Sequence, residues 1–148
     1  MERIISFTSS EEDRLRSEYG VQREKIRVIP AGVDLGLFRP MNKEQARERL
    51  GLGQEHVLLF VGRPDPIKGL DVLLQAVSMV EEGIRPRVVV VGGHPQGDPE
   101  LFSFIEMAEK LGLRELVSFV GPVPQNDLPL YYNAADVCVI PSYYESFG

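Results

Sequence analysis

Tryptophan is absent from this chain, cysteine occurs once and histidine twice. A single cysteine, Cys138, excludes an internal disulfide. Two histidines, His56 and His94, with no Cys, Asp or Glu grouping at ligand spacing leave no metal-site pattern. Positive charge is in deficit: 16 Lys and Arg against 22 Asp and Glu give a net charge of −6. That balance argues against a general nucleic-acid binder and requires any phosphate site to be local. No apolar run is long enough to span a bilayer, and Met1 is followed by Glu2 and Arg3 in place of a signal-peptide pattern. The cytoplasm is the expected compartment. Internal repeats are missing, which excludes a solenoid. A G-x-G-x-x-G fingerprint is missing as well, which sets aside a nicotinamide or flavin enzyme.

What is present is ordinary in amount and regular in pattern. The length of 148 residues suits one domain of roughly 100–150 residues. Residues 4–7 read as a strand, 10–19 as a polar helix capped by Ser9 or Ser10 and stopped by Gly20, and 26–30 as a second strand. A short helix over 43–50 ends at Gly51. From Val57 the alternation is strict: strand 57–61, helix from Leu70 to Val77, strand 88–91, helix 100–111, strand 117–120, helix 127–134, strand 137–140. The helix over 100–111 carries Leu101, Ile105, Ala108 and Leu111 on one side. Continuous apolar strands alternating with helices predict an α/β fold, a Rossmann-like parallel sheet with helices on both faces. Both ends of the chain fall at strand edges and predict cuts through a larger protein. An isolated chain of this kind is expected to leave apolar edges open and to associate.

Parallel sheets bind ligands at the carboxyl ends of their strands. After the strand at 57–61 comes Gly62-Arg63-Pro64-Asp65-Pro66-Ile67-Lys68-Gly69 and then a helix. Arg63 can grip a phosphate with two parallel hydrogen bonds, Lys68 adds a mobile charge, and the helix start adds free amides. The plainer alternative is a pair of solvated loop charges. Gly92 and Gly93 follow the next strand and suit close backbone approach to a ligand or a tight turn. Gly121-Pro122-Val123-Pro124 makes a stiff apolar loop that could press on a planar base or serve only as a rigid turn. The last strand leads into Pro141-Ser142-Tyr143-Tyr144-Glu145-Ser146-Phe147-Gly148, where an acid at a helix start could accept sugar hydroxyls or merely face the helix dipole. His56 is expected to be exposed, His94 to sit at the edge of the site without a catalytic partner, and Cys138 to be a small core residue. Tyr131 and Tyr132 read as packing residues and Asp34 as a turn former.

Four stretches, RVIPAGVDLGLFRP (27–40), LLFVGRPDPIKGLDVLLQAV (58–77), VVVVGG (88–93) and VSFVGPVPQNDLPLYYNAADVCVIPSYYESFG (117–148), resemble the GT-B glycosyltransferases of the GT4 type. They occur in the family's order over nearly the whole chain. The resemblance implies that residues 1–40 are the tail of an N-terminal domain and the crossing between domains. Residues 41–148 would then be a partial C-terminal, nucleotide-sugar-binding domain, truncated after its fourth strand. It implies that Arg63 and Lys68 hold the donor diphosphate, and that Glu145 is the first glutamate of an E-x7-E motif contacting the sugar. Ser146, Phe147 and Gly148 would meet sugar hydroxyls, Gly62 and Gly92 would line the donor, and Gly121, Pro122 and Val123 would hold the base. The implied reaction is retaining transfer of a hexose from a nucleotide sugar, UDP by preference, to an unknown acceptor, with no cofactor and no essential metal. The acceptor domain and the second glutamate lie outside the chain, so the fragment by itself is expected to be inactive. The parent is compatible with a peripheral place at a membrane, and no nucleic-acid partner is expected. The competing reading is a nucleotide-binding module that works through a partner chain.

Overall fold

The computed structural model describes residues 3–94 and 97–145. Its contacts divide the chain into two units, Met1–Leu35 with Glu145–Gly148, and Gly36–Tyr144.

In the first unit, β1 (Ile4–Ser6) pairs in parallel with β2 (Ile26–Val28). Between them α1 (Ser9–Tyr19) ends at Gly20 in the left-handed conformation, as the sequence implies. Its cap is one residue earlier than expected: Thr8, whose hydroxyl accepts from the Glu11 amide at 3.1 Å. Ser9 and Ser10 are instead the first helical residues. Ser6 is fully buried and donates its hydroxyl to the Thr8 carbonyl at 2.7 Å, which removes the cost of an unpaired buried polar group.

The second unit is the regular α/β part. Its strands are β3 (Val57–Val61), β4 (Arg87–Val91), β5 (Val117–Gly121) and β6 (Val137–Cys138), all parallel in the order β5-β4-β3-β6. Its helices are α2 (Lys43–Leu50), α3 (Leu70–Ser78), α4 (Pro99–Lys110) and α5 (Leu128–Ala134). Successive strand residues point to opposite faces, so the apolar runs feed two cores at once. Phe60, Val88 and Val90 pack with Leu70, Leu73, Leu74 and Val77 of α3 and Phe104 and Ala108 of α4. Val57, Leu59, Val89 and Val91 face the other way, toward Leu52, Val123, Leu128 and Tyr131. Ala46 of α2 meets Leu130 and Ala134 of α5. Helices therefore cover both faces, as the patterning predicts.

Two details of that pattern differ. On α4 the fully inward residues are Leu101, Phe104 and Ala108. Ile105 and Leu111 are only half-buried, because Phe104 occupies the i+3 position of the stripe. Cys138 is exposed rather than a core residue. It stands on β6, which pairs with β3 along one side and is the edge of the sheet. The expected strand over 137–140 is correspondingly short, and Val137 and Ile140 are exposed with it.

At the amino end of the sheet lies a charge clamp. Arg47 of α2 is only 7% exposed. It donates to the Ala134 carbonyl at 2.9 Å, the Gly53 carbonyl at 3.1 Å and Asp136 Oδ2 at 2.8 Å. Asp136 also accepts from Lys43 Nζ at 2.6 Å and the Val57 amide at 2.7 Å. The Lys43 hydrogen bond, followed by that of the Val57 amide, holds the Asp136 carboxyl down at about 2, against an ordinary 3.8. A carboxylate depressed in the folded state contributes stability above its unfolded pKa and loses it as pH falls through the folded value. Wild-type stability should therefore fall between about pH 4 and about pH 2. Asp136→Asn should be less stable than wild type at pH 6 and converge on it near pH 2; urea melts across that range check this.

Among the described residues no helix is long and apolar enough to cross a membrane.

Candidate functional site

The strand order places the start of the alternation, β3, inside the sheet, with β4 and β5 added on one side and β6 on the other. The reversal between β3 and β6 is a topological switch point, and crevices for ligands open at the carboxyl ends beside it.

After β3 the loop is built by its own side chains. Asp65 accepts from the Ile67 amide at 3.0 Å and caps a 3-10 turn over Pro66–Lys68, with Pro66 in the first turn where a missing N–H costs nothing. Gly69, at φ 68°, ends this turn and admits α3 directly behind it. Arg63 is exposed at the mouth and Lys68 is half-buried on the turn. The loop therefore does run between two cations onto a helix start.

The ends of β3, β4 and β5 are knitted by glycines. Gly62 donates to the Val91 carbonyl at 2.9 Å and Gly92 to the Gly121 carbonyl at 2.8 Å. Gly92 has φ 124°, and a Cβ there would overlap the Gly62 carbonyl. Its small size thus serves approach to the backbone of the neighbouring strand, a use different from the ligand approach or tight turn expected from the sequence. Gly93 lies against the Pro64 ring and Asp98.

Above these ends a cavity of about 350 Å³ is lined by Val61, Gly62, Arg63, Val91, Gly92, Gly93, His94, Asp98, Pro122, Val123 and Leu128. A smaller polar recess of about 180 Å³ beside it is formed by Arg63, Pro64, Asp65, Asp98 and Glu100. Arg63 belongs to both. The structure therefore brings Gly62, Arg63, Gly92, Pro122 and Val123 to one cavity, with Gly121 bonded behind it. His94 is at the cavity rim, as expected. Lys68 lines neither recess. Glu145 is exposed and groups by contact with the first unit. Ser146, Phe147 and Gly148 lie outside the described residues.

Sequence reasoning missed Asp98, which caps α4 by accepting from the Leu101 amide at 3.2 Å while facing both recesses. Its signal was present: an Asp before Pro99 at the head of an apolar stripe is a helix-start pattern. His56 is exposed, as expected, and sits 3.9 Å from Asp136 on the opposite end of the sheet. Tyr132 packs edge-on to Phe38 at 6.1 Å, and Tyr131 packs under β3 and α2.

The cavity is apolar toward Pro122, Val123 and Leu128 and charged toward Arg63 and Asp98. Such a pocket offers an apolar wall beside one arginine that can hydrogen-bond an anionic group, with the Asp98 carboxylate facing the same space. Tyr143, after β6, donates its hydroxyl to Asp71 Oδ2 at 3.1 Å. That hydrogen bond raises the phenol's pKa and keeps it a donor.

The family model for glycosyl transferases group 1 matches residues 42–148. The D-inositol 3-phosphate glycosyltransferase of Streptosporangium roseum is 41% identical over 99% of this chain and 35% of its own length. The Thermomonospora curvata enzyme of the same name is 42% identical over 99% of this chain and 37% of its own. Among solved structures, sucrose-phosphate synthase from Thermosynechococcus elongatus superposes with a TM-score of 0.86 at 35% identity, over 97% of this chain and 36% of that one. The chain thus spans about a third of the length of the curated relatives it matches.

Proposed function

The chain belongs to the group 1 glycosyl transferases, and from that premise we propose that it supplies part of the donor side of a retaining hexosyltransferase that uses a nucleotide sugar, UDP-linked by preference. The observation that carries the reading is the convergence of Arg63, Gly62, Gly92, Pro122 and Val123 on one cavity at the carboxyl ends of β3, β4 and β5. In this reading the Pro122 and Val123 wall receives the base. Arg63 takes the diphosphate with paired hydrogen bonds and Lys68 adds its charge from the neighbouring turn. Stabilising the leaving diphosphate by fixed charge is the main catalytic contribution of this part. Glu145, with Ser146, Phe147 and Gly148, is assigned the hexose. The acceptor is selected by residues of the longer enzyme, and the 148 residues alone are expected to bind without turnover. This reading assigns no role to a metal.

Calorimetric titration with UDP tests it. Wild type should saturate, with and without a chelator, and Arg63→Ala should weaken binding about tenfold or more, the loss of a charge-assisted pair. Lys68→Ala should weaken it by a smaller factor. A folded sample that fails to bind UDP, or variants that bind as wild type does, would overturn the assignment.

A further inference from the structure

The chain changes its direction of growth between β3 and β6, so the loops leaving these two neighbouring strands head apart. Yet the segment after β6 is fastened to the turn after β3. The Tyr143 amide donates to the Ile67 carbonyl at 2.9 Å. The Tyr143 hydroxyl donates to Asp71 Oδ2 at 3.1 Å. Between these two anchors, Gly69 lies so close to the Pro141 carbonyl that a Cβ would overlap it. Residues 67 and 71 are thus gripped on either side of Lys68 and Gly69 by one residue from the far loop.

The grip acts where the chain is weak. The 3-10 turn over Pro66–Lys68 is three residues long, and so short a turn has little stability of its own. Lys68 reaches a ligand on a flexible stem, so its charge is placed only as well as its backbone is. Asp71 Oδ1 is buried and has no hydrogen-bond partner among the described residues, so the side-chain donor to this carboxylate is the Tyr143 hydroxyl on Oδ2. The Tyr143 side chain is itself not in the core: the residue is 66% exposed.

We infer that Tyr143 is a positioning residue for the diphosphate site, holding the Lys68 turn in place through its amide and its hydroxyl. The inference rests on the reading of Arg63 and Lys68 as diphosphate ligands, and it assigns Tyr143 no contact with the ligand.

Tyr143→Phe removes the hydroxyl and little buried area, so the variant should melt close to wild type. In the unliganded chain, amide hydrogen exchange should accelerate over residues 67–71 and stay unchanged in β4 and β5. UDP should bind about fivefold more weakly, the equivalent of one ordinary hydrogen bond, while uridine, which lacks phosphates, binds as before. Asp71→Ala should match Tyr143→Phe, the double variant should add nothing, and Asp71→Asn, which keeps an acceptor, should recover most of the loss. Unchanged exchange over 67–71, or equal losses for UDP and uridine, would overturn the clamp. A wild-type chain that does not bind UDP overturns the diphosphate reading itself. A wild type that binds UDP no better than Tyr143→Phe overturns the clamp alone.

Discussion

Arg47→Ala is expected to cost about 2–5 kcal/mol of stability, because it leaves two carbonyls without their donor and takes one of two cations from the Asp136 carboxylate. The arginine is 7% exposed, and its guanidinium closes three gaps at once: to α5 through the Ala134 carbonyl, to the loop before β3 through Gly53, and to Asp136. Without it, two carbonyls lose their donor and the Asp136 carboxylate keeps only Lys43 and the Val57 amide. A domain of this size has roughly 5–15 kcal/mol in total, so the variant should unfold at a much lower urea concentration, if it folds at all. Asp136→Asn in the Arg47→Ala background separates the loss at the carboxylate from the loss of the carbonyl donor and of packing. A double variant no less stable than Arg47→Ala would assign part of the cost to the lost partner of the carboxylate, whereas a further loss would show that Lys43 and the Val57 amide still hold Asp136. A loss of less than about 1 kcal/mol for Arg47→Ala would show that the clamp is dispensable.

Gly92→Ala carries the second large effect, about 2–4 kcal/mol, from two additive causes. A φ of 124° is a backbone conformation that only glycine adopts without strain. The new methyl group would also overlap the Gly62 carbonyl, and relieving that overlap pushes β3 and β4 apart where Gly62 donates to Val91 and Gly92 to Gly121. Gly32→Ala is the control, since a Cβ there meets nothing within 4 Å; its melt should stay within about 0.5 kcal/mol of wild type. Because Gly92 lines the cavity, a Gly92→Ala sample that remains folded should also bind UDP more weakly than wild type. A stability equal to that of Gly32→Ala would contradict the close approach.

These two residues differ in how far the sequence announces them. Gly92 follows four valines and stands where a strand must end, so a special role for its backbone is legible. That the neighbour it must clear is the Gly62 carbonyl is not legible, because it depends on which strand lies beside β4. Nothing in the sequence singles out Arg47. It looks like one more surface cation on a short charged helix, and its partner Asp136 is separated from it by nearly the whole sheet. Cys138 shows the converse error: an apolar run predicts burial, but burial depends on what covers the faces of a strand, and both residues of β6 are exposed whereas Val117 of the other edge strand is buried.

Local chemistry determined the alternation of strands and helices, the left-handed stops at Gly20 and Gly51 and the loop of Arg63 and Lys68 opening onto a helix. Each depends on residues within a turn or two of one another, where spacing alone sets which side chains share a face. The ordered set of motifs determined the family in the same way. Only the tertiary structure decided that Arg63, Gly92 and Pro122 share a cavity, that Asp98 joins them, that Arg47 finds Asp136 and that Tyr143 reaches Asp71. These pairings follow from strand order and register. Those are set by the packing of the whole core, and no short stretch of sequence encodes them.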